Sequence, residues 1–366
     1  MGNSLDGKQD QEAKVLPRPK GRHDSALDGA RGLAVLMVVF SHASKLGIPT
    51  DSILNLRGTG RYGVFLFFVL SSFLLTRQIM VATKRELRSF TYWLNYGFRR
   101  FLRIFPAFSM SLVLYIFFYK GGVGKFPATA DDLVSHLMLQ EGMAVFWTIP
   151  VEFKYYMLLP AVALIFRAMS QDLAGWRGGL FFCFTVGIVS WLKPPQFGIS
   201  LWSYIPVFLC GAFAAFVVLW IERLPRSVRG GCSVYPQLLT EIAGWLGILF
   251  VVLLVPCFLS RLLGREVGYT SFHLWYVPFG IASSAVVVAC MAGTGAMRRL
   301  LSWPPLVAAG RISYSLYLLH MLVMSWAVAV TESTVCRLVL FFTCSAVLAS
   351  ISYCTIERPF SRIRIT

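Results

Sequence analysis

Arg31 and His42 stand in one apolar segment with no other charged residue between them. Ionisable groups inside a membrane-spanning helix are costly and are usually kept for function. Eleven helical residues make three turns plus about 20°, so the two side chains share a face and lie roughly 16 Å apart along the axis. A neutral imidazole is the usual general base at physiological pH, and a guanidinium suits phosphate or carboxylate. One helix face therefore offers a fixed cation and, three turns deeper, a base. Taken alone, His42 also reads as a helix-end histidine meeting water or headgroups. Asp28, three residues before Arg31, reads as the N-cap of this helix.

Three further groups carry chemistry. Arg99-Arg100-Phe-Leu-Arg103-Ile-Phe-Pro106 opens an apolar run. Arg99 and Arg103, four apart, share a face and form either a phosphate clamp or a positively charged anchor at the membrane surface. Glu152 and Tyr156 are also four apart within Trp147-Thr-Ile-Pro-Val-Glu152-Phe-Lys-Tyr-Tyr156, whereas Lys154 points elsewhere. A buried carboxylate beside a tyrosine suggests a site wall or an orienter for an imidazole, an interhelical hydrogen bond being the structural alternative. Ser313, Tyr317 and His320 recur at i, i+4 and i+7 and give one polar stripe on an apolar helix. Polar contacts between helices explain the first two, and the histidine adds a second candidate base or acceptor-site residue. His23, His136 and His273 have no such company and take no role.

The elements that must position these groups are membrane helices. The chain is 57% hydrophobic and only 14% charged, with mean hydropathy +0.66, which describes a polytopic membrane protein rather than soluble domains. Hydrophobic runs of roughly 17 to 25 residues predict an all-α bundle of about ten spans. They fall near 28–46, 61–82, 101–119, 145–166, 179–193, 202–221, 238–259, 271–292, 305–330 and 336–357. The fifth is short and the fourth is interrupted by Pro150, Glu152 and Lys154, so either suits a tilted or re-entrant segment. Alternate loops and the two ends hold 24 of the 34 lysines and arginines. By the positive-inside rule an even number of spans then leaves both termini cytoplasmic.

That topology accounts for most of the net charge of +17, and nucleic acid is not an expected partner. The simplest organisation is a disordered cytoplasmic tail over 1–25 and one transmembrane domain over 26–361. No cleavable signal peptide is expected, since the first 25 residues hold no apolar run. The eight cysteines lie mostly within spans and never form Cys-x-x-Cys, so they read as small buried hydrophobes. Neither Gly-x-Ser-x-Gly nor His-Glu-x-x-His occurs, which argues against a nucleophile-elbow hydrolase and gives no expectation of a metal.

Taken in order, these motifs resemble the acyltransferase 3 family of membrane acyltransferases, from Leu27 to about Ser361. The resemblance rests on Asp28-Gly29-Ala-Arg31 with ten residues before His42, Phe67-Phe-Val-Leu-Ser-Ser-Phe73, Arg99 to Pro106, Trp147 to Glu152 with Tyr156, Gly310 to His320, and Glu357-Arg-Pro359-Phe360. The family's usual Ser-Gly-Phe reads Ser71-Ser72-Phe73 here. Phe108 stands where an aromatic hydroxyl is common, and Tyr155 where Phe is.

The resemblance implies transfer of an acyl group, most often acetyl, from cytoplasmic acyl-CoA to a hydroxyl. Acyl-CoA is then a co-substrate, with no tightly bound cofactor. Arg31, Arg99 and Arg103 would bind the donor and His42 would act as general base. Glu152 would orient His42 or the acceptor, while Tyr156, Ser313, Tyr317 and His320 would line the acceptor site. Direct transfer needs no acyl-enzyme, although an acyl-histidine is chemically open. Members of the family modify surface polysaccharides, lipid-linked sugars, macrolide-like antibiotics and small metabolites. The expected setting is a bilayer, of the plasma membrane or the endoplasmic reticulum. A transporter or flippase using the same Arg, His and Glu residues is the alternative, and an inactive structural or receptor-like relative is the third reading.

Overall fold

The computed structural model describes residues 24–50, 52–120, 126–170, 176–223 and 234–363. Most of the predicted tail, with His23, lies outside these residues, as does Cys232. Among the described residues all regular structure is helical. Helices α1 (Ser25–Ala43), α2 (Gly60–Val81), α3 (Lys84–Arg88), α4 (Phe90–Phe118) and α5 (Ala130–Leu137) make up the first part. They are followed by α6 (Thr148–Met169), α7 (Trp176–Leu192), α8 (Leu201–Arg223), α9 (Val234–Leu253) and α10 (Pro256–Leu263). The last part holds α11 (Tyr276–Ala292), α12 (Ala296–Leu301), α13 (Pro304–Arg311), α14 (Ser313–Val330), α15 (Thr334–Ser352), a π turn (Tyr353–Glu357) and α16 (Arg358–Phe360).

Among the described residues eight segments are long and apolar enough to cross a membrane, and the chain is a multi-pass membrane protein. The two remaining predicted spans, the fifth and eighth, correspond to α7 and α11, apolar helices of 17 residues each. The ninth predicted span is two helices, because the chain turns at Ile312 between α13 and α14. The third begins earlier than its apolar run suggests. Helix α4 starts at Phe90, so the arginine cluster lies inside it rather than at its opening. Helix α6 runs unbroken through Pro150. That proline falls in the first turn, where its missing N–H leaves no intrahelical bond unmade.

Burial separates an inner group from an outer one. Helices α1, α2, α8 and α14 bury two thirds or more of their most apolar window, against 17% for the segments holding α9 and α15. Leu239, Ile242, Leu246 and Leu249 of α9 are exposed, as suits side chains that face lipid. At the centre α1 packs on α2, α13 and α14, and α2 packs on α6 and α8.

The start of α1 corrects one expectation. The N-cap is Asp24, whose carboxylate accepts the Ala26 amide at 3.1 Å and pairs with Arg298 at 3.0 Å. Asp28 therefore lies in the first turn, buried, where the positive end of the helix dipole favours a carboxylate. Here α1 and α13 touch through their backbones. A Cβ built on Gly310 would stand 1.8 Å from the Asp28 carbonyl oxygen, so this approach requires a residue without a side chain.

Candidate active site

Five helices enclose a cavity of about 60 Å³. Helix α1 contributes Arg31, α2 Phe67 and Ser71, α4 Arg103, α6 Glu152 and Tyr156, and α14 Ser313, Tyr314 and Tyr317. Six residues read from the sequence are thus brought together: Arg31, Arg103, Glu152, Tyr156, Ser313 and Tyr317. The volume holds a few waters. It is too small for a nucleotide, which must stay outside or open the site.

Glu152 is held from two directions. Its Oε1 accepts the Ser71 hydroxyl at 2.6 Å and the Tyr156 hydroxyl. The i, i+4 spacing supplies the tyrosine within α6, and α2 supplies the serine. Tyr314 and Tyr317 are anchored in turn, their hydroxyls donating to the carbonyls of Ile104 at 2.9 Å and Val145 at 2.7 Å.

Arg31 lies 3.9 Å from Asp28 and has Arg103 and Arg100 as like-charged neighbours. Arg100 also faces Tyr156 and Tyr96. Arg99 does not line the cavity, and its Nε donates to the Asn95 carbonyl of its own helix at 3.2 Å. Arg100, i, i+3 from Arg103, shares its helix face as Arg99 does, and although it too lies outside the cavity lining it interacts electrostatically with Arg103. Glu357 is a further buried carboxylate, bonded to Ser315 at 3.1 Å and electrostatically coupled to Arg103 and Arg31. Three partly buried guanidiniums and the buried carboxylates of Asp28 and Glu357 thus form one charge network, with Glu152 reaching it through Tyr156. Such networks contribute little to stability and are a mark of function.

His42 and His320 lie off this cavity, paired with each other. His42 Nδ1 is 2.8 Å from His320 Nε2, and the rings stack with centroids 5.0 Å apart. Glu152 is expected beside His42 or beside the acceptor, and no hydrogen bond from it to His42 is found among the described residues. It faces Ser71 and Tyr156 at the Arg31 level of the bundle, three turns of α1 from the histidine. Tyr317 links the two regions, lining the cavity while its ring centroid lies 6.2 Å from that of His320.

Sequence reasoning missed Ser71, Arg100, Tyr314 and Glu357. Each stands inside a quoted motif, but spacing alone does not tell Ser71 from Ser72 or Arg99 from Arg100. Glu357 is turned inward by the π turn, a device often found at functional sites.

Comparison with known proteins supplies the class of reaction. Residues 24–356 match the Acyl_transf_3 family model, described as an acyltransferase domain. The chain is similar to the peptidoglycan O-acetyltransferase OatA of Listeria monocytogenes serovar 1/2a, 22% identical over 95% of this chain and 57% of that protein. It is also similar to YrhL of Bacillus subtilis strain 168, which carries a provisional name for the same activity, at 24% identity over 92% of this chain and 55% of that protein. The chain thus spans just over half the length of the curated relatives it matches. No solved structure matches. With nearly all of its length aligned to the family model, the chain belongs to the acyltransferase 3 family of membrane acyltransferases.

Proposed function

We propose that the protein transfers an acyl group, acetyl in the first instance, from cytoplasmic acyl-CoA to the hydroxyl of a small-molecule, lipid-linked or saccharide acceptor. The observation that carries this reading is the arrangement along α1. Arg31 lines a guanidinium-rich cavity near one end of the helix, and His42 is paired with a second imidazole near the other. The roughly 16 Å between them suits an extended pantetheine arm, with phosphates at the arginines and the thioester near the histidine.

His42 removes the acceptor hydroxyl proton as the oxygen attacks the thioester carbonyl. The carbon–sulfur bond then breaks and CoA leaves as a thiol on regaining a proton. Arg31, Arg100 and Arg103 hold the donor, and Glu152 with Ser71 and Tyr156 fixes the cavity wall around it. Ten spans, counting α7 and α11, would leave both termini and the arginine cavity on the cytoplasmic side, with residues 26–361 acting as one unit. The relatives' names favour a saccharide hydroxyl. The match to an acyltransferase family supports this reading over that of a transporter.

Oriented membrane vesicles test this reading. With acetyl-CoA outside and soluble peptidoglycan fragments present on both sides, inside-out vesicles should release CoA and right-side-out vesicles should not. Equal release from both, or none from either, would contradict it.

A further inference from the structure

His320 is wholly buried on α14, and hydrogen bonding fixes the protonation of its two ring nitrogens. Its Nδ1 lies 3.0 Å from the carbonyl oxygen of Leu316 and 2.8 Å from that of Tyr317. Carbonyl oxygens only accept, so Nδ1 carries the hydrogen. In the neutral ring Nε2 is then a lone pair, and it faces His42 Nδ1 at 2.8 Å. That contact is a hydrogen bond only if His42 donates from Nδ1. The lone pair of neutral His42 is consequently on Nε2, for which no hydrogen bond is found among the described residues, and the residue is partly exposed.

We infer that His320 is a positioning residue that holds His42 in the Nδ1–H tautomer and aims Nε2 at the acceptor hydroxyl. The inference rests on the reading of His42 as the base. It gives His320 a task other than lining an acceptor site. The chain of bonds ends on two carbonyls that cannot take a proton, so His320 orients its neighbour and does not relay protons onward. When His42 gains a proton at Nε2, its Nδ1–H remains bonded to the same acceptor and the ring does not have to turn.

His136 shows the contrast. It too is buried, but its Nδ1 donates to the Asp132 carbonyl at 2.7 Å and its Nε2 accepts the Met143 amide at 3.0 Å. Backbone groups close both of its nitrogens, as in a histidine that only shapes a loop. In His320 the backbone closes one nitrogen and the other is committed to a second imidazole. Polar side chains that hold a reacting imidazole in one tautomer are a recurrent catalytic device.

The tautomer can be read without any variant of His320. Nitrogen-15 NMR of histidine-labelled protein in lipid, with the His42 signals identified by their loss in His42→Gln, should show protonated Nδ1 and unprotonated Nε2. His320→Leu, close in volume but without an acceptor, should give a mixture of tautomers. It should lower kcat about 100-fold and leave the KM for acetyl-CoA unchanged. His320→Gln, whose amide oxygen can accept from His42, should recover to within about tenfold of the native kcat. An Nε2–H tautomer in the native protein, or full kcat in His320→Leu while His42→Ala is inactive, would overturn the inference. Undiminished turnover in His42→Ala would instead overturn the base reading beneath it, and the NMR signals would separate the two results.

Discussion

Ser72 and Tyr155 are hydrogen-bonded to each other at 2.8 Å between α2 and α6. Both are wholly buried. Each hydroxyl finds its partner in the other. Room for the serine comes from across the interface, where a Cβ on Gly211 of α8 would lie 2.9 Å from the Ser72 Cβ.

That pairing sets a double-mutant test. Ser72→Gly or Tyr155→Phe alone leaves a buried hydroxyl without a partner and should cost about 1–3 kcal/mol. The double variant should cost less than the sum of the two, with a coupling of about 0.5–3 kcal/mol. Denaturant titration in mixed micelles measures it, and strict additivity would count against the pair.

The contact between α1 and α13 gives a second prediction with an internal control. Gly310→Ala places a methyl group against the Asp28 carbonyl and should destabilise the fold by about 3 kcal/mol or more. The shift would appear as a lower unfolding temperature and a smaller monodisperse fraction in detergent. Gly97→Ala, in α4 with nothing within 4 Å of the new Cβ, should be neutral or stabilising by up to about 1 kcal/mol.

Donor binding separates neighbouring arginines. Arg100→Ala and Arg103→Ala should raise the KM for acetyl-CoA about tenfold, on the order of 1.4 kcal/mol. Arg99→Ala should change it less than about twofold, because that side chain is turned to its own backbone. The measurement is initial velocity against acetyl-CoA concentration, and equal effects at all three positions would show that general positive charge is what matters.

Much of the helix pattern was legible because long apolar runs state their own length. The breaks were not. Ile312 is an ordinary residue on which α13 ends and α14 begins, and the start of α4 at Phe90 is hidden by Arg99, Arg100 and Arg103, which interrupt its apolar run. The candidate site was legible where helical spacing determines a face, as for Glu152 with Tyr156 and for Ser313 with Tyr317. Partners on different helices were not, since nothing in the chain ties Ser71 to Glu152 or His42 to His320 before the bundle packs. Arg31 and His42 share a helix face, yet the first lines the cavity and the second meets an imidazole from α14.

Replacing His42 tests the central claim most directly. Purified protein reconstituted in liposomes is given acetyl-CoA and soluble peptidoglycan fragments, and free CoA thiol is followed with time. The native protein should release CoA in an acceptor-dependent manner, and His42→Ala, with unchanged expression and unfolding temperature, should lose at least about 100-fold in rate. Release by His42→Ala at the native rate would contradict it.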